Sequence, residues 1–155
     1  AELGAGVYYG HVVVDLPLLV ANLSGAPAKD WRTQSAEPAR KVLSALVRSI
    51  ASCSPGAKLG STAPYSRADL VLLEVGRQQP RTLANAFLEA MPTRGHMLQQ
   101  AAHRLGEQLH RIDTMYGSTA DTRVLATTLD ATALGPISAQ PLDAAIRHAL
   151  DAIWG

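Results

Sequence analysis

Aromatic side chains make up only 5% of this sequence, with a single Phe and two Trp, so a stacked-ring platform of the kind that holds single-stranded nucleic acid has little to build on. Cysteine is scarcer still. The lone Cys53 excludes an internal disulfide and any cysteine-pair zinc or redox motif, and its place at the end of an apolar helix favours an inert, packed thiol over a reactive one. No charge sign dominates: 11 Arg and 3 Lys stand against 13 acids for a net charge of +1, which excludes the strongly basic balance of a free-standing nucleic-acid-binding domain. No apolar run reaches the ~18–20 residues of a membrane span, and the opening Ala1-Glu2-Leu3-Gly4 lacks the basic start and apolar middle of a signal peptide. The expectation is a soluble, cytoplasmic protein with no membrane association.

What is present is apolar. At 155 residues and 47% hydrophobic content, the chain can build one core and is short for two. Residues 7–14, VYYGHVVV, are β-branched and aromatic and predict a buried strand. Asp15 then caps a short helix with Pro17 in its first turn and Leu16, Leu19, Val20 and Leu23 on one stripe. A polar loop at 24–34 leads to a helix with Ser35 as N-cap and Val42, Leu43, Leu46, Val47 and Ile50 at helical spacing, ending near Ser52. A small-residue loop precedes an apolar strand near 69–76. Beyond Gly76, Thr82 can cap a helix over 83–91, and Leu98, Ala102, Leu105, Leu109, Ile112 and Met115 share one face of a long helix that stops at Gly117. The apolar segment 124–129 fits helix or strand, and Pro141 opens a last amphipathic helix. Two strands make a sheet that is marginal alone. The strand so near the first residue, with no partner strands upstream of it, suggests a piece of a longer chain.

Chemistry is sparse. His96, His103 and His110 recur every seven residues, which separates successive rings by about 10.5 Å along a helix, too far to share one zinc ion; the same spacing suits the polar face of an amphipathic helix, with a pH-sensitive surface as the sharper reading. No GxSxG elbow or cysteine-protease signature anchors a nucleophile. Gly56, Lys58, Gly60 and Ser61 have the composition of a phosphate cradle, although the loop is not a Walker A motif and is followed by a strand. Arg77, Arg81, Arg94, Arg104 and Arg111 could form a basic patch, or, sharing space with Glu107 and Asp113, a salt-bridged surface.

Four segments in order, GVYYGHVVVDLPLLVANL at 6–23, PGAKLGSTAPYSRADLVLLEV at 55–75, RTLANAFLEAM at 81–91 and RLGEQLHRIDTMYG at 104–117, resemble the C-terminal half of the CasC family, the backbone subunits of type I-E CRISPR Cascade. The resemblance implies an α+β fold: part of an RNA-recognition-like (ferredoxin-like) palm over residues 1–76 and a mostly helical elaboration over 77–155, forming one domain across 1–155. It implies a non-catalytic, cofactor-free subunit that holds CRISPR RNA, contacts neighbouring copies of itself and other Cascade subunits, and meets target DNA only through the guide. Gly56, Lys58 and Ser61 fall on the family's Gly-Lys loop and are the expected RNA contacts; Leu59 stands where a polar residue, often Gln, is expected. Asn85 and Phe87 fall on the Ala-Asn-Ala-Phe stretch, expected near RNA or a subunit boundary, with capping or packing as the plainer role. The competing readings are a protein-interaction module without direct RNA contact and a hydrolase.

Overall fold

The computed structural model of the protein describes residues 6–53, 66–91, 95–118 and 120–155. Among these residues four helices and two strands carry the fold: α1 (Leu16–Ser24), α2 (Glu37–Ser52), β1 (Leu70–Val75), α3 (Met97–Tyr116), β2 (Thr122–Thr127) and α4 (Leu142–Trp154), with short 3₁₀ turns at Ala28–Thr33, Ala84–Phe87 and Ala131–Leu134. β1 and β2 pair antiparallel, Leu70 opposite Thr127 and Val75 opposite Thr122. The sheet therefore joins residues on either side of position 76.

Each face of this ribbon is covered, because side chains alternate along a strand. On one face Leu70, Leu72 and the fully buried Leu125 pack against Ala102, Leu105 and Leu109 of α3. On the other, Val71, Leu73, Val75, Val124 and Ala126 meet Ala145 and Ala149 of α4. Alanine at both α4 positions lets the helix lie close against the sheet. The neighbouring stripe of α4, Ile146 and Leu150, packs on Leu43 of α2 and on Leu16 and Leu19 of α1. Sheltering by helices on both faces supplies the burial that an isolated hairpin lacks. The architecture is α+β, a small antiparallel sheet with a helical elaboration, consistent with a partial ferredoxin-like palm.

The local signals hold at both ends of α1. The Asp15 carboxylate accepts from Leu18 N at 3.0 Å, Pro17 sits in the first turn, and Gly25 closes α1 at φ 74° with its N–H on Ala21 O, where a left-handed residue favours glycine. The C-terminal carbonyls of α4 receive two guanidinium groups: Arg40 donates to Leu150 O at 3.2 Å and Arg32 to Ile153 O at 3.4 Å, cations at the negative end of a helix. Trp31 meets Trp154 edge-on at 6.3 Å and Arg32 lies 4.2 Å over the Trp31 ring.

Three expectations change. Residues 7–14 form no strand, and Tyr8, Val12 and Val13 are largely exposed. β-propensity needs a partner strand to become a strand, and none among the described residues lies alongside. The second strand is instead 122–127, whose pattern alone fitted helix or strand. The helix over 83–91 contracts to Ala84–Phe87. Arg104 of α3 takes the carbonyls of Glu89 and Ala90, at 2.8 and 3.4 Å, and Pro92 in the sequence disfavours helix in the residue before it.

Candidate functional site

The residues expected to touch RNA divide by position. Gly56, Lys58 and Ser61 lie outside the described residues. The chain on either side of their loop is tied together, since Ala68 N donates to Ala51 O at 2.8 Å and β1 starts two residues later. Asn85 and Phe87 lie in the Ala84–Phe87 turn, where Asn85 is exposed and Phe87 half-buried.

That turn is held from three sides. Thr82 Oγ1 accepts from Ala84 N at 3.1 Å, the Tyr9 hydroxyl accepts from Leu83 N at 2.9 Å, and the Tyr9 ring lies 5.7 Å from the Phe87 ring. Leu83 is buried in the α3 core, with Phe87 packed against it. Phe87 thus has the packing role among its expected ones, and Asn85 is presented outward beside it.

The chain runs back from this turn to a quartet of charges that joins both strands and α3 to the segment leading into the turn. Glu74 of β1 sits directly opposite Arg123 of β2 in the register, so the pair shares the α3 face of the sheet. Arg123 Nε donates to Glu74 Oε1 at 2.7 Å and its two terminal nitrogens donate to both carboxylate oxygens of Asp113 on α3. Arg81 donates to both Glu74 oxygens at 3.1 and 3.2 Å and lies 3.5 Å from Asp113 Oδ1. All four side chains keep only 15–26% of their surface exposed. The bond from Arg123 holds the Asp113 carboxyl below its ordinary range, and the charges of Arg123 and Arg81 act the same way against the opposing effect of burial. Asp113 in return raises the Arg123 guanidinium, with Glu74 adding to the effect. Two cations and two anions leave the cluster neutral. Its chemistry is attachment of sheet to helix, at a point that also anchors the start of the Asn85 turn.

The basic patch expected from Arg77, Arg81, Arg94, Arg104 and Arg111 does not assemble among the described residues. Arg81 is consumed by the quartet, Arg77 pairs with Asp121 at 3.8 Å, and Arg104 takes backbone carbonyls. Arg94 lies outside the described residues, and Arg111 is exposed. The expected mixing of these arginines with acids is therefore what the fold shows, with Arg123 and Glu74 as members that no helical spacing could reveal.

The histidines stay apart. His96 stands at the start of α3, His103 and His110 are exposed on it, and His103 Nε2 lies 3.5 Å from Glu107 Oε1, one turn on. Among the described residues no group of three or more His, Cys, Asp or Glu could hold a metal ion. A broad open groove of about 640 Å³ runs past His103, Arg104, Glu107 and Asp130. Asp130 there is exposed and caps its own turn: it accepts from Thr132 N and Oγ1, which lowers its pKa. Among the described residues no helix is long and apolar enough to cross a membrane.

Residues 1–152 match the Cas family described as CT1975-like protein. The chain belongs to the CT1975-like family. A chain of a solved structure titled "CRISPR RNA-guided surveillance complex" is similar over 81% of this sequence, with 26% identity and a TM-score of 0.66. The match covers 49% of that chain, so the present sequence spans about half the length of the protein it resembles. No curated protein matches it. The CT1975-like assignment agrees with the CRISPR association expected from the four quoted segments, at the level of a Cas family.

Proposed function

We propose that this chain is the C-terminal part of a CasC-type backbone subunit of a type I-E surveillance complex, one that grips the sugar–phosphate chain of CRISPR RNA and carries out no chemistry itself. The observation that carries this reading is the joint match, 1–152 to a Cas family and 81% of the chain to part of a surveillance-complex subunit at a TM-score of 0.66. Backbone contacts position a guide without reading its bases, which leaves those bases free to pair with target DNA. Gly56, Lys58 and Ser61 are the proposed contacts, with Lys58 the phosphate ligand, and the outward Asn85 a second point near the RNA or a neighbouring subunit. The partners are CRISPR RNA, adjacent copies, other Cascade subunits and, through the guide, target DNA, in the cytoplasm.

A salt titration of RNA binding by the full-length protein tests this. Lys58→Ala weakens binding uniformly across sequences and reduces the slope of log K against log salt by about 0.7, the increment for one phosphate on a single strand. Unchanged binding removes Lys58 from the interface. Wild-type protein that fails to bind RNA removes the RNA reading.

The second reading, a protein-interaction module without direct RNA contact, is favoured by one observation. Arg40, Arg48, Arg77, Arg81 and Arg123 are all engaged by carboxylates of the same chain, so these five arginines present no unbalanced positive charge to a phosphate chain.

A further inference from the structure

The Asn85 turn is held on both sides. Leu83 N donates to the Tyr9 hydroxyl and Ala84 N to Thr82 Oγ1, and Leu83 is buried against α3. Beyond the turn, Arg104 fastens the chain by the carbonyls of Glu89 and Ala90. From this frame the Asn85 side chain projects exposed, with no hydrogen bond to any described residue. A free carboxamide on a fixed backbone loses little freedom when a ligand takes it, which is what a preorganised contact requires.

We propose that Asn85 hydrogen-bonds a ribose 2′-hydroxyl of the bound RNA and is a residue by which the protein tells RNA from DNA. The surroundings of the carboxamide select that ligand group. Residues 82–91, TLANAFLEAM, contain no Lys or Arg. The two arginines tied to the ends of that stretch are engaged by the chain itself, Arg81 by Glu74 and Arg104 by backbone carbonyls, so neither is free to neutralise a phosphate. The rings beside the turn, Tyr9 and Phe87, are packed on each other with centroids 5.7 Å apart, which suits the turn's support better than the stacking of a base. A carboxamide can also pair with a base edge, but that contact would restrict the guide sequence, whereas a subunit that grips the sugar–phosphate chain accepts any sequence. The ribose remains. Its 2′-hydroxyl is donor and acceptor at once, as the Asn85 carboxamide is, and it is the group that distinguishes RNA from DNA at a given site.

The inference rests on the RNA-gripping reading and deepens it at one site: the proposed Lys58 contact weakens with salt, and the Asn85 contact does not. Full-length protein is titrated with single-stranded CRISPR RNA and with the same sequence carrying 2′-deoxyribose at every position, by fluorescence anisotropy at several salt concentrations. Wild type favours the RNA, and Asn85→Ala cuts that preference by about fivefold, the worth of one hydrogen bond between neutral groups. The near-isosteric Asn85→Leu does the same. The salt slope of both variants stays that of wild type, because no phosphate contact is lost. Both changes fall on an exposed side chain that bonds no described residue, so the fold is kept. A preference for RNA that is undiminished in either variant overturns the proposal and leaves the RNA reading standing, as does wild type that binds the two strands equally. A shallower salt slope overturns it too, by placing Asn85 on a phosphate, and so does weakened assembly with other subunits at an unchanged preference, by placing Asn85 at a subunit boundary. Wild-type protein that binds neither strand overturns the proposed function and this inference with it.

Discussion

Asp113→Asn removes one charge from the quartet of Glu74, Arg81, Asp113 and Arg123 while keeping the side chain's shape. The cost follows from where the quartet sits. Ion pairs in full solvent contribute about 0.2–1 kcal/mol, whereas breaking a buried pair costs about 3–5 kcal/mol through the charge left unpaired. These side chains retain 15–26% exposure, which places the quartet between the two limits. Arg123 nevertheless keeps Glu74 at 2.7 Å and Arg81 keeps both Glu74 oxygens, so neither cation is orphaned. We expect a loss of about 2 kcal/mol, between the two limits, read as a fall in Tm of roughly 4–8 °C for a domain of this size. The pH dependence carries the sign. The Asp113 pKa in the folded protein is depressed, first by the hydrogen bond from Arg123, below the ~3.9 of an unfolded aspartate. Its contribution is therefore fully present above that unfolded value and is lost as pH falls through the folded one. Urea unfolding from pH 7 down to pH 3, followed by far-UV circular dichroism, should show a constant gap between wild type and variant near neutrality that closes in acid. A gap under about 0.5 kcal/mol at pH 7, the value for an exposed pair, would refute the reasoning, as would a gap that persists unchanged in acid.

Two further substitutions probe the layers around the quartet. Leu125→Ala empties a fully buried site between sheet and α3 and should cost about 2–5 kcal/mol; chemical denaturation that moves by less than 1 kcal/mol would mean the site collapses around the hole or is not packed as described. Tyr9→Phe keeps the ring against Phe87 but leaves Leu83 N without its acceptor, at about 1 kcal/mol. Hydrogen exchange at the Leu83 amide should quicken by about fivefold, and unchanged protection would show that the Tyr9 hydroxyl does not hold the Asn85 turn.

Read from the chain alone, the helices were the clearest elements because their signals are local. The Asp15 cap, the Pro17 turn and the Leu16–Leu19–Val20–Leu23 stripe mark α1 within ten residues, and the repeat of Leu98, Ala102, Leu105 and Leu109 up to Gly117 marks α3. Even there the cap of α2 falls on Ala36, one residue past the expected Ser35. Gly56, Lys58 and Ser61 came from family resemblance, since a Gly-Lys loop in one sequence has no geometry of its own. Asn85 and Phe87 came the same way, and only the folded chain parted them, one outward and one packed.

Amino-acid order by itself thus determined the helical periods, the cap of α1 and the near-neutral charge, properties that need no contact between distant residues. Tertiary structure decided which β-prone segments became strands: 70–75 found 122–127 across some fifty residues of chain, while the more β-prone 7–14 found no partner among the described residues and formed no strand. It also decided the charge quartet and the Tyr9–Phe87 contact. Glu74, Arg123, Asp113 and Arg81, like Tyr9 and Phe87, meet only because a sheet register and a helix docking bring distant residues within a few ångströms. No periodicity encodes that distance, so it becomes visible only once the chain has closed on itself.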